Sequence, residues 1–358
     1  MERFEDVLTG LRSQIPRSLL AGQGWIRLLE RVGNFPAAAS TSLCGFEFRL
    51  DESAPAADFS IPVSEERITH HHIARGEAAA PASVDAWLAT HLNDPSATDH
   101  WLESVLLAYD IIGVPAGLTD PPSPVIYLRL LPGQGKGATG AGPAAIAHTV
   151  AQASARNDSV PEWRALAWAL DVLPADAKLA FVGATPNRTP RSVRLLVADM
   201  KPREVGALLR RLEWPGSITA VNHLLSGMAD LCGRFLLLFD INENGALPRL
   251  GFEMHALPEE ATSYRALFAA WLFSSKLDWK PVIQRLVDRR LCIPAKAEGL
   301  LSWPRRRTVF SEHGAFELYM GINHVKLSLE GDGVRAKAYG GLRLLPLDQV
   351  AERALFGG

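Results

Sequence analysis

Cysteine is scarce in this 358-residue chain: Cys44, Cys232 and Cys292 are odd in number and far apart. That spacing argues against a disulfide scaffold or a zinc cluster and fits buried thiols in a reducing compartment. Surplus positive charge is also missing. The 37 Lys and Arg residues face 39 Asp and Glu, for a formal charge of −2, which argues against nucleic acid as a partner because phosphate contacts need excess cations. No apolar run approaches the roughly 20 residues that span a bilayer, so no membrane role is expected. Met1-Glu-Arg-Phe-Glu-Asp6 lacks the basic, apolar, small-residue order of a secretion signal. The expectation is a soluble cytoplasmic protein. Core material is present in ordinary measure, with 47% hydrophobic and 21% charged residues, and the length admits two domains or one large barrel.

The informative signal is a recurring order of elements. Residues 16–33 read as helical, and Cys44 to Asp51 then alternates, with Phe46, Phe48 and Leu50 on one side and Glu47, Arg49 and Asp51 on the other. Ala57 to Val63 is the return strand of this first hairpin. A helical stretch is expected from Val84 to Ile112, broken at Asn93-Asp94-Pro95. Pro124 to Leu131 is strand-like, Gly133 to Gly142 is a mobile glycine-rich loop, and Ala144 to Leu173 is helical. Lys178 to Gly183 and Ser192 to Ala198 form a further hairpin, followed by helical segments at 202–211 and 217–232. Phe235 to Asp240 and Arg249 to His255 flank the turn-forming Asn242-Glu-Asn244-Gly245. After a helical region at 263–290, Asn323 to Glu330 and Val334 to Tyr339 flank Asp332-Gly333, a favoured two-residue turn that pairs Glu330 with Arg335, Ser328 with Lys337 and Lys326 with Tyr339.

In these hairpins one strand face is apolar and the other is charged. Two strands per helix, repeated about five times, implies antiparallel pairing, because a parallel barrel needs a helix between each pair of strands. Helices then cover the apolar face, and about ten strands can close on themselves and remove the sheet edges. The expected fold is a closed antiparallel ten-stranded β-barrel of repeated αββα units in one α/β domain over 1–358. Residues 1–40 supply N-terminal helices and 133–143 the flexible loop. The charged face lines the lumen.

This pattern resembles the ABBA-type aromatic prenyltransferases. Indole-prenylating members carry Glu-x-Ser-x-Asn on the first strand, and Glu47-Phe-Arg49-Leu-Asp51 is similar, with Arg49 in the Ser place and Asp51 in the Asn place. The family's second strand offers an Arg, where this chain has Ala57-Asp58-Phe59. Tyr127-Leu-Arg129 has the residue types of the family's Lys-x-Tyr in reversed order, and Arg335-Ala-Lys337-Ala-Tyr339 reproduces its Arg-x-Lys-x-Tyr run on the last hairpin. The resemblance implies transfer of an allylic isoprenoid, dimethylallyl or geranyl, from its diphosphate to an aromatic or peptide side-chain acceptor, with tailoring of a ribosomal peptide or natural product as one outcome. Arg49, Arg129, Arg194, Arg249, Lys326, Arg335 and Lys337 are the candidates for the leaving diphosphate. Tyr127, Tyr319 and Tyr339 are available to shield the allylic cation. Glu47 is the candidate catalytic carboxylate, orienting the acceptor or taking its proton, with Glu253 and His255 as further acceptor contacts. Mg²⁺ stays open as a companion of the donor, since members of the superfamily differ and no Asp-rich motif is present.

Other motifs carry less. Consecutive residues of His70-His71-His72 point to opposite strand faces, with no Cys or carboxylate at ligand spacing, so no metal site is expected. Pro132-Gly-Gln-Gly-Lys136-Gly-Ala-Thr-Gly140 lacks the Gly-Lys-Ser/Thr order of a phosphate loop, and Arg305-Arg306-Arg307 reads as a solvated basic run. The rival from another class is a non-catalytic barrel that binds a peptide or amphipathic ligand for a partner enzyme. It needs only an apolar cavity with a few polar anchors.

Overall fold

The computed structural model describes residues 4–35, 43–63, 102–113, 124–130, 143–153, 160–185, 192–231, 234–255, 278–311, 314–331 and 333–347. Eleven strands form one antiparallel sheet: β1 (Leu43–Arg49), β2 (Ala57–Val63), β3 (Leu102–Tyr109), β4 (Val125–Leu130), β5 (Lys178–Ala184), β6 (Val193–Ala198), β7 (Arg234–Asn242), β8 (Gly245–His255), β9 (Arg305–Ser311), β10 (Gly314–Glu330) and β11 (Gly333–Pro346). Neighbours follow chain order from β1 to β8, β10 joins β8 to β11, and β11 returns to β1. Ten strands therefore close into a barrel. The eleventh, β9, pairs with the first half of β10 outside the β8 contact.

Alternation decides what faces out. Phe46 and Phe48 on β1, Phe59 and Ile61 on β2, Leu237 and Phe239 on β7, and Val325 and Leu327 on β10 are at most 2% exposed. They form one continuous core with the helical layer. That layer comprises α1 (Phe4–Leu11), α2 (Gly22–Val32), α3 (Pro143–Ala153), α4 (Val160–Val172), α5 (Pro202–Arg211), α6 (Ile218–Ser226), α7 (Lys280–Asp288) and α8 (Pro294–Leu301). In α2 the buried positions Trp25, Leu28 and Val32 recur at helical spacing. The helix begins close to the chain near β2, where a Cβ on Gly24 would meet the Pro55 carbonyl oxygen at 2.4 Å. Beneath α8, Trp303 packs edge-on to both Phe46 and Phe48 with ring centroids 5.7 Å apart. Each such ring taken from water contributes roughly 1.5–3 kcal/mol. Pro294 at the first turn suits the start of α8, and the buried Lys296 ammonium donates to the Arg49 carbonyl oxygen at 2.5 Å. Together with the bond from Ile293 N–H to the Leu50 carbonyl at 2.9 Å, this pins the end of β1 and so positions Glu47 and Arg49.

Three expectations are corrected. Residues 102–109, expected within a helix, are strand β3, which pairs β2 with β4. Val105, Leu107 and Tyr109 are buried outward while Leu106 and Ala108 face the lumen, so both faces are apolar and no period of two shows. The last hairpin turns earlier than Asp332-Gly333: Glu330 pairs with Gly333, Ser328 with Arg335 and Lys326 with Lys337. Gly331 takes the left-handed φ of 62° there. The slip is two residues, so every face assignment survives. Arg305-Arg306-Arg307 opens β9 and is solvated as expected, with Arg306 and Arg307 exposed. The helix expected over 217–232 ends at Ser226, with Gly227 at its C-cap. The histidine triplet and the 133–142 loop lie outside the described residues.

Candidate active site in the barrel lumen

Cross-strand register lays the lumen side chains out in rows. One row runs Arg49, Lys337, Lys326, Glu253 across β1, β11, β10 and β8. The next runs Asp58, Glu47, Tyr339, His324 across β2, β1, β11 and β10. Facing residues in such rows sit about 5 Å apart at Cβ. Three cations on adjacent strands repel one another, and the rows resolve this with carboxylates. Lys337 Nζ donates to Glu47 Oε1, and Tyr339 O–H donates to Glu47 Oε2. Lys326 Nζ lies 3.4 Å from Glu253 Oε1, and Arg49 reaches Glu52 at 3.2 Å.

These contacts shape the protonation states. Burial pushes the Glu47 carboxyl up, but the charges of Lys337 and Lys326 and the hydrogen bonds from Lys337 and Tyr339 outweigh it and hold the group well below the usual range. Burial and the neighbouring Glu47 charge raise Asp58 to about 6, against two backbone N–H bonds from Ile111 and Ile112 at 2.7 and 2.8 Å. Burial lowers Lys326 to about 8, with Arg194 and Arg249 adding to the shift and Glu253 opposing it. Burial lowers His324 to about 3, assisted by Lys326; it takes His255 to about 3 as well, assisted by His324. The His324 ring stacks on Tyr339 with centroids 4.0 Å apart, and burial together with the Glu47 charge keeps the Tyr339 hydroxyl protonated.

Opposite the charged rows stands an apolar wall. Phe181, Leu196, Ala198, Leu236 and Leu238 cluster inside the barrel with Tyr127 packed against them. Between wall and rows lies a cavity of about 140 Å³ lined by Glu47, Asp58, Glu253, His324, Lys326 and Tyr339 on one side and Leu106, Phe181 and Leu196 on the other. Such a lumen can hold an anion against ammonium groups while keeping an apolar group dry.

The candidate residues named from sequence divide by place. Glu47, Tyr127, Glu253, Lys326 and Tyr339 line the cavity, and Lys337 and Arg49 adjoin it through Glu47 and the shared row. Arg194 is buried in a two-pronged pair with Asp240 at 2.6 and 2.8 Å and donates to the Tyr127 hydroxyl at 3.1 Å. Arg129 lies over Phe181 at 6.0 Å. Arg249 pairs with Glu330 at 3.2 Å and Arg335 with Glu52 at 3.1 Å, both partly exposed. Tyr319 is carried further along β10, under the Arg306 guanidinium at 5.3 Å. His255 stands beside His324 with its Nδ1 3.2 Å from the Asn323 carbonyl oxygen. Sequence reasoning missed Asp240 and His324. Asp240 shares parity with the lumen residues Leu236 and Leu238 and sits opposite Arg194, so strict alternation reveals it. The bulge between Ile322 and His324 shifts the phase of β10 and hides His324.

The ring of ten antiparallel strands clothed in helices is the fold of ABBA-type prenyltransferases. A solved structure of the prenyltransferase PriB, in ternary complex with L-tryptophan and dimethylallyl thiolodiphosphate, superposes with a TM-score of 0.50 over 94% of this chain and 95% of that one, at 14% sequence identity. No family model matches the sequence, and no curated protein matches it. Among the described residues, no helix is long and apolar enough to cross a membrane, and no three His, Cys, Asp or Glu side chains are grouped to hold a metal ion.

Proposed function

We propose that this chain is a prenyltransferase that moves an allylic isoprenoid from its diphosphate to an aromatic or peptide side-chain acceptor held in the lumen. The observation that carries the reading is the row of Arg49, Lys337 and Lys326 on three adjacent strands, set against the row of Asp58, Glu47, Tyr339 and His324. Each ammonium has three N–H donors and spends one on its carboxylate, so donors remain for phosphate oxygens without breaking the pairs. As the allylic C–O bond ionises, its electron pair leaves with the diphosphate, where fixed cations stabilise the growing charge. The carbon left behind is shielded by the faces of Tyr339 and Tyr127 and by the dry wall of Phe181 and Leu196. Glu47, locked by Lys337 and Tyr339, keeps lone pairs on both oxygens and orients an acceptor N–H or O–H. The acceptor's nucleophilic pair then forms the new bond to the allylic carbon.

The test is tryptophan quenching and calorimetry with dimethylallyl, geranyl and farnesyl diphosphates, with and without Mg²⁺, beside mass spectrometry of pooled aromatic and peptide acceptors. Saturable binding of one donor, weakened in Lys337→Ala, with a prenylated product supports the reading; no binding of any donor overturns it. A second reading, a non-catalytic barrel that holds a peptide or amphipathic ligand, is favoured by one observation: Lys326, Lys337 and Arg194 each already hold a carboxylate. It expects ligand binding to survive Lys337→Ala and no product to form.

A further inference from the structure

We propose that Asp58, the carboxylate standing across from Glu47 on β2, takes the proton that the acceptor loses as the new bond forms. The inference rests on the transferase reading and assigns a further catalytic residue within it. The two side chains are direct cross-strand partners on the lumen face, and both line the cavity, yet their oxygens are used differently. Glu47 has one oxygen on the Lys337 ammonium and the other on the Tyr339 hydroxyl. Protonating it would break an ion pair between two largely buried groups, a costly exchange. Asp58 Oδ1 accepts the backbone N–H groups of Ile111 and Ile112, which fixes the carboxyl in place. Its Oδ2 has Arg49 Nη2 at 3.6 Å, beyond hydrogen-bond reach, and so is the oxygen with room for a proton.

The surroundings push the two groups apart in the same sense. Glu47 is held low by Lys337 and Lys326, whereas burial and the Glu47 charge raise Asp58 to about 6. Two neighbouring carboxyls with separated proton affinities divide into a fixed charge and a working acid or base. The groups facing Asp58 are Glu47 and Arg49 on β1 and Asp110 beyond β3. Its partners on β2 itself, Phe59 and Ser60, carry no charge. The step balances: the allylic C–O bond breaks with its electrons going to the diphosphate, the acceptor's pair forms the new bond, and the acceptor's proton passes to Asp58 Oδ2 and then to solvent. The resemblance that suggests the fold places an arginine on this strand, so a carboxylate here is a feature of this chain.

The test has two arms on the full chain. In the first, ¹³C NMR follows the Asp58 carboxyl of the free protein, assigned through its own backbone amide. A midpoint near pH 6 that falls in Glu47→Gln is expected, and a midpoint below 5 overturns the proposal. In the second, with the donor and acceptor found above, Asp58→Asn should lower kcat/KM by roughly 10²–10⁴-fold while donor affinity stays within about threefold. It should also remove the fall of kcat/KM below pH 6. Turnover within threefold of the parent, or a surviving acid limb, overturns the assignment while leaving the transferase reading intact. Failure of the parent chain to bind any prenyl diphosphate overturns both. Asn keeps the oxygen that accepts the two N–H groups, and the first arm decides the matter if that variant does not fold.

Discussion

Replacing Arg194 by methionine should destabilise the barrel by about 3–5 kcal/mol, because it strands a charge that has nowhere to go. The Arg194 and Asp240 side chains are only 3% and 7% exposed, and the guanidinium meets both carboxylate oxygens while also supplying the Tyr127 hydroxyl. Removing the arginine leaves Asp240 buried without a counter-ion and costs Tyr127 a donor worth about 1 kcal/mol. Removing both charges, in Arg194→Met with Asp240→Leu, should restore most of the loss, since an apolar pair of similar volume does about as well as a buried ion pair. Since Asp240→Leu alone strands Arg194 at a similar cost and the double variant loses little, the coupling energy from the double-mutant cycle should exceed about 3 kcal/mol. Urea unfolding at pH 7 followed by tryptophan fluorescence reads each arm as a shift of midpoint at constant slope. A single-variant loss under about 1 kcal/mol, or a double variant no better than the sum of the singles, refutes the argument.

Three further outcomes are expected. His255 and His324 are buried as neutral rings lowered to about 3, so the unfolded chain binds protons that the folded one does not. Stability should fall as pH drops from 6.5 toward 3, by up to about 1.4 kcal/mol per pH unit for each ring; chemical denaturation across that window should show a shallower slope in His324→Asn, and an unchanged slope counts against neutral burial. Lys337→Met should weaken the preferred prenyl diphosphate by about 10- to 100-fold, the worth of one charged hydrogen bond, and unaltered calorimetric affinity removes Lys337 from the donor site. A Cβ on Gly340 would come within 2.9 Å of the Phe48 ring and 3.1 Å of Trp303, so Gly340→Ala should cost about 1–3 kcal/mol by overpacking, read as a lower urea midpoint.

Four of the five hairpins were legible because charge on one face and aliphatic groups on the other make a period of two visible: Glu47 against Phe46, Arg194 against Leu195, Glu253 against Phe252, Lys337 against Ala336. β3 was not, because its lumen side belongs to the apolar wall. The register of the last hairpin was misjudged by two residues because Asp332-Gly333 is the stronger local turn signal, while pairing across the barrel places the turn at Gly331. The identity of the lumen cations could be read from parity alone. Asp240, opposite Arg194 on the next strand, was open to the same reading, but the pairing of Lys326 with Glu253 and of Arg335 with Glu52 was not, because it depends on which distant strands the barrel brings together, and the bulge before His324 shifts the count. Asp58 stood in the sequence as a departure from a resemblance; its place opposite Glu47 is the ground for the role proposed for it.

Closure of the ring also bears on how the chain assembles. β11 seals the barrel by pairing Lys337–Arg343 with Leu43–Arg49, so the first strand waits for nearly the whole chain before its second neighbour arrives. Contacts of that span raise contact order, and β-rich topologies dominated by them fold slowly. Until then β1, which carries Phe46 and Phe48, presents an open edge prone to association with other chains. The lumen row of Asp58, Glu47, Tyr339 and His324 is completed by the same late event, since Glu47 receives Lys337 and Tyr339 only from β11. A partly folded chain thus has neither the completed lumen row nor a protected edge, and under the proposed function the emergence of donor binding during refolding should mark the moment the barrel shuts.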